Sequence, residues 1–359
     1  MPINLSGWKL ELLTTWEAIE EAGFQKRWSE LAENASNAHV FFHPTLVNIW
    51  LKTYRPLRDI QPLFVHAMNA DQEVIFPLVL WRKGWKNAFL RVIVPAGHSD
   101  FDYHDPLFMQ TATPEEVEGF YLALHQTLQK LNSYDRLLID GLHENFLPSF
   151  AKVTHSEPCL EWVRKDTQIF NGFMLPLKKR LANDILRRLR RLCEVGNVHF
   201  HKFTLAEMTQ AQDSLSKMLK EHAKRWPNAY KAPYFHHYLL EEGLRAGLVE
   251  FIECNLDGRP IAWRINFVYG TRCSLYMPAI DSNYLSYGPG NILLCFAIGD
   301  SLKSDFAVID HLRGGEFYKS AWGGVETFIF DVVLDRKELI CRLRIGIHEV
   351  LRKLRLKLM

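Results

Sequence analysis

The sequence predicts a mixed α/β fold arranged in two lobes. Helical patterns and short apolar strands alternate along all 359 residues. The second half of the chain repeats the element order of the first: helices, then meandering strands, then a strand–helix–strand close. The order of elements recurs, not the residues, and the recurrence places the boundary between lobes near residues 150–170. A chain of this length can bury two cores of ordinary size.

The first half begins with an alternating strand. Thr15 can cap the helix that follows it, and Pro114 can begin a later helix after the capping residue Thr113. The predicted elements are, in order, strand 8–13, helices 16–33 and 45–54, a hairpin of strands 61–68 and 73–82, strand 88–94, helix 114–131 and strand 136–140.

The second half begins with a basic helix and ends with another. Asp257 and Gly258 form a dipeptide typical of a tight hairpin turn. The predicted elements are, in order, helix 179–195, strand 198–203, helices 205–225 and 233–246, strands 248–256, 259–268 and 272–280, helix 291–303, strand 306–311, strand 325–333 and helix 336–358.

The composition narrows the class of protein. The formal net charge of +2 does not indicate a nucleic-acid partner. The six cysteines contain no C-x-x-C pair, which is typical of reduced thiols in a cytosolic protein. The first residues lack a signal-peptide pattern, and no apolar run is long enough to cross a membrane. We therefore expect a cytoplasmic protein, and the histidine spacing predicts no metal site.

A glycine-rich turn at residues 284–290 precedes the predicted helix 291–303. Gly288 and Gly290 permit unusual backbone conformations, and Pro289 stiffens the turn between them. The N–H groups of Asn291, Ile292 and Leu293 would then point outward at a helix start, where a diphosphate could bind. The alternative is a turn that only begins a buried helix, because glycines before a helix are a weak signal.

A polar cluster follows strand 306–311, at the end where open α/β sheets tend to bind ligands. Glu316 or Asp310 could act as general base on an amine, and Tyr318 could protonate a leaving group. The alternative is a solvated loop in which Tyr318 and Trp322 pack as lids.

Several residues could hold an anionic substrate near this cluster. Arg313 could clamp a carboxylate or phosphate bidentately, and Lys319 could hold a negative group. On helix 205–225, His222, Arg225 and Trp226 share one face at i, i+3 and i+4. That face is either a pocket wall with a catalytic histidine or a capped helix end.

Two helices combine an apolar stripe with a basic face. In the first, 179–195, the basic face is either solvated or attracts phosphates, on a cofactor or on RNA. The last helix, 336–358, could lie on an anionic membrane surface. Packing of that helix on the sheet is favoured, since a strand leads directly into it. Its apolar stripe comprises Leu343, Ile347, Leu351, Leu354 and Leu358.

Four motifs together resemble the CelD-like (cellulose-biosynthesis-type) acetyltransferases of the GNAT superfamily. The string DHLRGGEFYKSAW at 310–322 is similar to that family's D-F-x-x-G-x-x-x-Y-K-x-x-W segment. YGPG at 287–290 is similar to its Y-S-P-G, and RRLRRL at 187–192 to its arginine-rich helix. His222, Arg225 and Trp226 match its H-x-x-R-W. Segments of the first half resemble its N-terminal lobe, so the likeness covers nearly the whole chain.

The resemblance implies tandem GNAT-like lobes, each a mixed, mostly antiparallel sheet flanked by helices. They would span residues 1–160 and 161–359, with the acyl donor in the second. Strands 272–280 and 306–311 would splay around the pantetheine arm of acetyl-CoA or another acyl-CoA. The diphosphate would lie on residues 288–292.

The reaction implied is N-acyl transfer from coenzyme A to an amine of a small molecule or saccharide precursor, as in polysaccharide biosynthesis. Glu316 or His222 would be the base, with Asp310 as second choice, and Tyr318 the acid toward the thiolate. The predicted substrate contacts are Arg225, Trp226, Arg313, Lys319 and Trp322.

Two alternatives stay open. The family-wide diphosphate pattern R/Q-x-x-G-x-G/A is only partly kept, because residues 284–290 lack its early basic or amide residue. The similar Fem-type transferases take aminoacyl-tRNA instead, and the basic helix 179–195 would suit that donor. The third possibility is a non-catalytic GNAT-like scaffold that binds a partner or a membrane through its last helix.

Overall fold

A computed structural model of the chain describes residues 7–82, 90–164, 179–227, 232–304 and 306–358. These residues form two compact units. Unit 1 comprises Met1–Glu157 and Phe328–Met359, and unit 2 comprises Pro158–Thr327. The predicted lobes differ from these units at the C-terminus, because the last strand pairs with residues of unit 1.

The first eight strands and four helices precede residue 144. They are β1 Lys9–Leu13, α1 Trp16–Glu20, α2 Ala22–Asn34, α3 Pro44–Tyr54, β2 Asp59–Pro62, β3 Phe64–Met68, β4 Glu73–Phe76, β5 Leu78–Arg82, β6 Arg91–Pro95, β7 Leu107–Phe108, α4 Pro114–Gln129 and β8 Arg136–His143.

The remaining elements run to the C-terminus. They are β9 Lys152–Val163, α5 Lys179–Cys193, β10 Val198–Lys202, α6 Met208–Arg225, α7 Phe235–Arg245, β11 Val249–Leu256, β12 Arg259–Tyr269, β13 Arg272–Ile280, α8 Pro289–Lys303, β14 Val308–Arg313, α9 Phe317–Ala321, β15 Val325–Asp335 and α10 Leu339–Leu358.

Several elements differ from the sequence-based assignment. The predicted helix 16–33 is two helices, because Glu21 adopts an extended conformation and caps α2 by accepting from the Phe24 N–H at 2.9 Å. The predicted strands 61–68 and 73–82 are each divided in two, into β2 and β3 and into β4 and β5, which belong to different sheets. β7, β9 and α9 lie in segments to which we assigned no helix or strand.

Unit 1 contains two sheets around an aromatic core. One has the strand order β1-β3-β4-β7 and is antiparallel. In the other, β15, β8, β6, β5 and β2 are adjacent in that order, and β6–β8 is a parallel pair. Trp28, Trp50, Tyr54 and Tyr121 are fully buried there.

Unit 2 has one mixed sheet in the order β10-β11-β12-β13-β14, with β9 beyond β14. The pairs are antiparallel except β13–β14. α5 and α8 share a core with the strands, built on residues such as Leu192, Ile252 and Leu293. The two units confirm the predicted fold class of mixed, mostly antiparallel sheets flanked by helices.

The parallel pair at the centre of unit 2 separates after three residues. Arg272, Cys273 and Ser274 pair with Val308, Ile309 and Asp310, whereas β13 continues to Ile280 and β14 to Arg313. The β12–β13 register also shifts between Ile265 and Phe267, as at a β-bulge. The strands therefore open toward their carboxyl ends.

The prediction that the stripe of α10 packs on a sheet is wrong for most of its residues. Among the described side chains of α10, Cys341 and Ile345 are buried. Leu343, Ile347, Leu351 and Leu354 are 45–57% exposed. Leu358 lies outside the described side chains. Among the described residues, no helix is long and apolar enough to cross a membrane.

Candidate functional site

The glycine turn joins a 3-10 helix, Ser282–Tyr287, to α8. Gly288 is left-handed (φ 62°, ψ 44°), a conformation that favours glycine. α8 begins at Pro289, two residues earlier than predicted. The N–H groups of Asn291 and Ile292 therefore donate to the Gly288 carbonyl, at 3.2 and 3.4 Å, instead of pointing outward. Gly290 is the first residue of α8 that has an N–H.

Arginines of α5 reach this turn. A Cβ on Gly288 would collide with the guanidinium of Arg188. The Arg191 guanidinium lies 5.6 Å from the centre of the Tyr287 ring. Arg188 is held in place by Asp184, at 2.7 Å from Nε. The turn has no basic residue of its own, and α5 supplies the basic groups near it.

Asp310 stands at the point where β13 and β14 separate. Its carboxylate is fully buried and accepts hydrogen bonds from the Leu312 N–H at 2.7 Å and the Ser274 hydroxyl at 3.5 Å. Arg272 lies 3.3 Å away. Leu312 has a φ of 58°, and the hydrogen bond from its N–H to Asp310 supports this conformation. The geometry makes Asp310 a positioning residue for the end of β14.

The loop after β14 is held by Lys319. Lys319 is 6% exposed, and its ammonium donates to the carbonyls of Arg313 at 2.6 Å and Leu312 at 3.3 Å. Glu316, half exposed, lies 2.9 Å from the same ammonium. Trp322 packs in the core of unit 2 and is not a lid. Tyr318 is 38% exposed.

A second group of polar side chains lies on α6, α7 and β13. Burial lowers the pKa of His222, and Arg225 lowers it further. His222 is close enough to His236 to affect its pKa, which burial lowers to about 3. The Tyr276 hydroxyl lies 3.4 Å from Nε2 of His236.

The other two members of the predicted H-x-x-R-W face are at the surface. Trp226 is 51% exposed, and the Arg225 guanidinium lies 5.5 Å from its ring centre. They could form an outer wall for a ligand that approaches His222.

The sequence-based prediction gave no role to four residues of this region: His236, Tyr276, Arg264 and His311. His311 is 3% exposed, and burial lowers its pKa to about 3, with Arg264 and Lys319 acting in the same direction. Local periodicity did not distinguish Tyr276 and Arg264 from ordinary strand positions. Among the described residues, no group of histidine, cysteine or acidic side chains is arranged to hold a metal ion.

Comparison with protein families identifies a domain in unit 2. Residues 179–320 match the profile described as "Acetyltransferase (GNAT) domain". This segment contains the glycine turn, His222 and the loop through Lys319. A comparison with curated proteins finds no match. The CelD-like subfamily stays a prediction.

Solved structures resemble nearly the whole chain. FemX has a TM-score of 0.63 at 8% identity and covers 93% of this chain and 99% of its own. A conserved protein of unknown function from Bacteroides thetaiotaomicron has 0.53 at 12%, covering 92% and 100%. A tandem GNAT protein from the clavulanic acid biosynthesis pathway has 0.50 at 10%, covering 91% and 98%. At these identities the likeness shows the fold alone, which is a tandem GNAT-like fold.

Proposed function

We propose that this protein is a GNAT-type N-acyltransferase that moves an acetyl group from coenzyme A to an amine of a small molecule or saccharide precursor. The observation that carries the proposal is the opening between β13 and β14, which pair over three residues in the described part of the chain. The glycine turn that begins α8 follows the carboxyl end of β13. Such an opening can admit an extended thioester arm, and unpaired strand N–H groups can then hydrogen-bond it.

The donor's diphosphate would lie at residues 288–292, against the arginines of α5. Arg188 and Arg191 provide positive charge at the turn, and the α8 N-terminus adds its dipole. Because Gly288 has no Cβ, the Arg188 guanidinium can approach its backbone closely. This arrangement supplies in space the basic group that the R/Q-x-x-G-x-G/A pattern supplies in sequence.

The transfer would proceed by direct attack. The amine nitrogen attacks the thioester carbonyl carbon, the carbonyl oxygen becomes an oxyanion, and the C–S bond then breaks. His222 or Glu316 takes the proton from the amine, and Tyr318 donates one to the thiolate. Asp310 is already engaged on β14, and Lys319 on the loop carbonyls, so both position this machinery.

Calorimetry with acetyl-CoA tests the proposal. The wild-type protein should bind it, and Arg188→Met should bind roughly tenfold or more weakly, because a charge-assisted hydrogen bond contributes about 1.5–3 kcal/mol. Arg187→Met is the matched control, since Arg187 also pairs with Asp184 but its side chain is 68% exposed. Absence of acetyl-CoA binding by the folded protein would contradict the proposal.

Aminoacyl-tRNA is the alternative donor, favoured by the basic face of α5 and by the resemblance to Fem-type transferases. Because an RNA carries many phosphate charges, its binding would weaken steeply as the salt concentration rises. The same calorimetric cell, with tRNA in place of acetyl-CoA at two salt concentrations, distinguishes the donors.

We also propose that α10 contacts an anionic membrane surface. Its exposed apolar stripe includes Ile340, Leu343, Ile347, Val350 and Leu354, spaced alternately by three and four residues. Arg342 and Lys353 are exposed on the same helix. Glu349, its single acid, pairs with Arg136 at 3.3 Å. Two copies of this stripe would bring like charges together, whereas an anionic surface attracts them.

A further inference from the structure

Two polar side chains of β12 are buried without partners. Arg264 is 3% exposed and Asn266 is 0% exposed. Within the described ranges, no residue forms a hydrogen bond or ion pair with either side chain. A buried guanidinium without an acceptor costs several kcal/mol, and native proteins rarely leave such groups unsatisfied. The two side chains therefore indicate a missing polar ligand.

Both side chains lie on the same face of the sheet. β12 pairs in regular register with β11 over this stretch, and Ile252 is opposite Arg264. Residues two apart on a strand share a face. Ile252 belongs to the core shared with α8, so that face is the one under α8. On the other neighbour, Arg264 is opposite Pro278, in the half of β13 that has separated from β14. Arg264 thus lies one strand away from the opening between β13 and β14.

Among the described residues, no carboxylate forms an ion pair with Arg264. Burial lowers the pKa of Arg264, and the groups that oppose this effect are Tyr318 and Cys273, neither of them a carboxylate. His311 is neutral at pH 7, because burial lowers its pKa to about 3. The Lys319 ammonium already lies 2.9 Å from Glu316. A buried guanidinium that no described carboxylate pairs with can bind an anion.

We propose that Arg264 binds a carboxylate on one of the two substrates: either the amine acceptor is amino-acid-like, or the acyl group ends in a carboxylate. A carboxylate matches the guanidinium fork with two parallel hydrogen bonds, and the Asn266 amide can satisfy a further polar atom. Tyr318 is close enough to Arg264 to affect its pKa, and it is 38% exposed. The proposal rests on acyl transfer as the function and names its substrate class.

Two pairs of probes test the proposal by calorimetry. The acyl pair is succinyl-CoA against acetyl-CoA. The acceptor pair is L-alanine against L-alaninamide, with and without coenzyme A. In at least one pair the wild-type protein should bind the carboxylated probe about tenfold or more tightly than its partner. The pair that shows the preference identifies which substrate carries the carboxylate.

Arg264→Met should abolish this preference while the melting temperature stays equal or rises, because the variant removes a buried unpaired cation. Arg259→Met is the matched control on the same strand. Its side chain is 64% exposed and pairs with Asp281, so the preference should persist. If Arg264→Met does not fold, Arg264→Lys retains the charge and should still show a weakened preference.

Equal binding of both probes in both pairs would overturn the proposal, as would a preference that survives in Arg264→Met. Water alone would then occupy the space beside Arg264. These outcomes are separate from those of the proposed function. Acetyl-CoA binding without a preference retains acyl-CoA transfer and removes the carboxylate site. A preference for L-alanine over L-alaninamide without acyl-CoA binding retains the carboxylate site and removes acyl-CoA transfer.

Discussion

His222 differs from an ordinary surface histidine in its ionisation. Burial lowers its pKa below 6.5, and the Arg225 guanidinium acts in the same direction. Its imidazole is therefore neutral near pH 7 and able to accept a proton from an attacking amine. Because the base form exists above the lowered pKa, activity should be lost only as the pH falls through that value.

His222→Gln is expected to lower kcat/KM by roughly 100-fold or more, the usual contribution of a general base. The measurement is release of free coenzyme A from acetyl-CoA with a panel of amines. In the wild type, the acid limb of the kcat/KM profile should lie below pH 6.5, and it should disappear in the variant.

His237→Gln is the control for this substitution. His237 lies on α7, and its ring is 2.6 Å from the Gln212 side chain. If His222→Gln retained full kcat/KM and the same acid limb, Glu316 would become the candidate base.

At the scale of single elements, α10 has two sets of apolar residues, one buried and one exposed. Its buried seam, Cys341 and Ile345, is narrow, and the Arg344 guanidinium holds it through Asp135 at 3.1 Å. The wider apolar stripe is left at the surface, where a patch of this kind marks an interaction site.

The double substitution Leu343→Ser and Ile347→Ser should weaken binding to phosphatidylglycerol vesicles by tenfold or more. Each side chain, 57% and 47% exposed, would contribute up to about 1.5–3 kcal/mol when buried in lipid. Co-sedimentation with vesicles measures the effect.

Leu205→Ser, at a residue of unit 2 that is 47% exposed, is the matched control. We expect no binding to phosphatidylcholine vesicles, because the basic residues would have no partner charge. The membrane proposal would be contradicted if the wild-type protein did not bind anionic vesicles but formed a concentration-dependent dimer. The stripe would then be the contact surface for a second copy.

At the scale of the whole molecule, buried neutral histidines link stability to pH. Burial lowers the pKa of His39 in unit 1 to about 4, and that of His236 and His311 in unit 2 to about 3. The unfolded chain would bind these protons near pH 6.5. Below that value the unfolded state holds more protons than the folded state, so the free energy of unfolding decreases as the pH decreases.

The free energy of unfolding should therefore fall by on the order of 2 kcal/mol per histidine between pH 7 and pH 5. Urea unfolding at the two pH values measures it. The loss should be smaller in His236→Asn than in the wild type. Carboxylates titrate mainly below this window, so a stability that does not change between pH 7 and pH 5 would contradict the assignment of these histidines as buried and neutral.

Most elements of unit 2 could be predicted from periodicity alone. β11 and β13 agree with the predicted strands to within one residue, because their apolar runs are bounded by turns. β9 was missed because its polar residues and Pro158 resemble a loop. Its strand conformation comes from pairing with β14, far away in sequence.

The candidate site was predictable where its residues form a local motif. Asp310, Glu316, Tyr318 and the glycine turn stand in one stretch of sequence. Arg264 and Asn266 did not attract notice, because alternating polar residues in an apolar strand normally face solvent. Here α8 covers that face, and local periodicity carries no information about which helix packs where.

By itself, the sequence determined most of the secondary structure of unit 2, the glycine turn before α8 and the basic character of α5. These follow from backbone preferences and side-chain periodicity, which are properties of neighbouring residues. The tertiary structure decided that Arg188 reaches Gly288, that Asp310 is buried against Arg272, and that none of the described residues pairs with the Arg264 side chain. Each of these depends on packing between residues distant in the chain, and burial there changes what a charged group can bind.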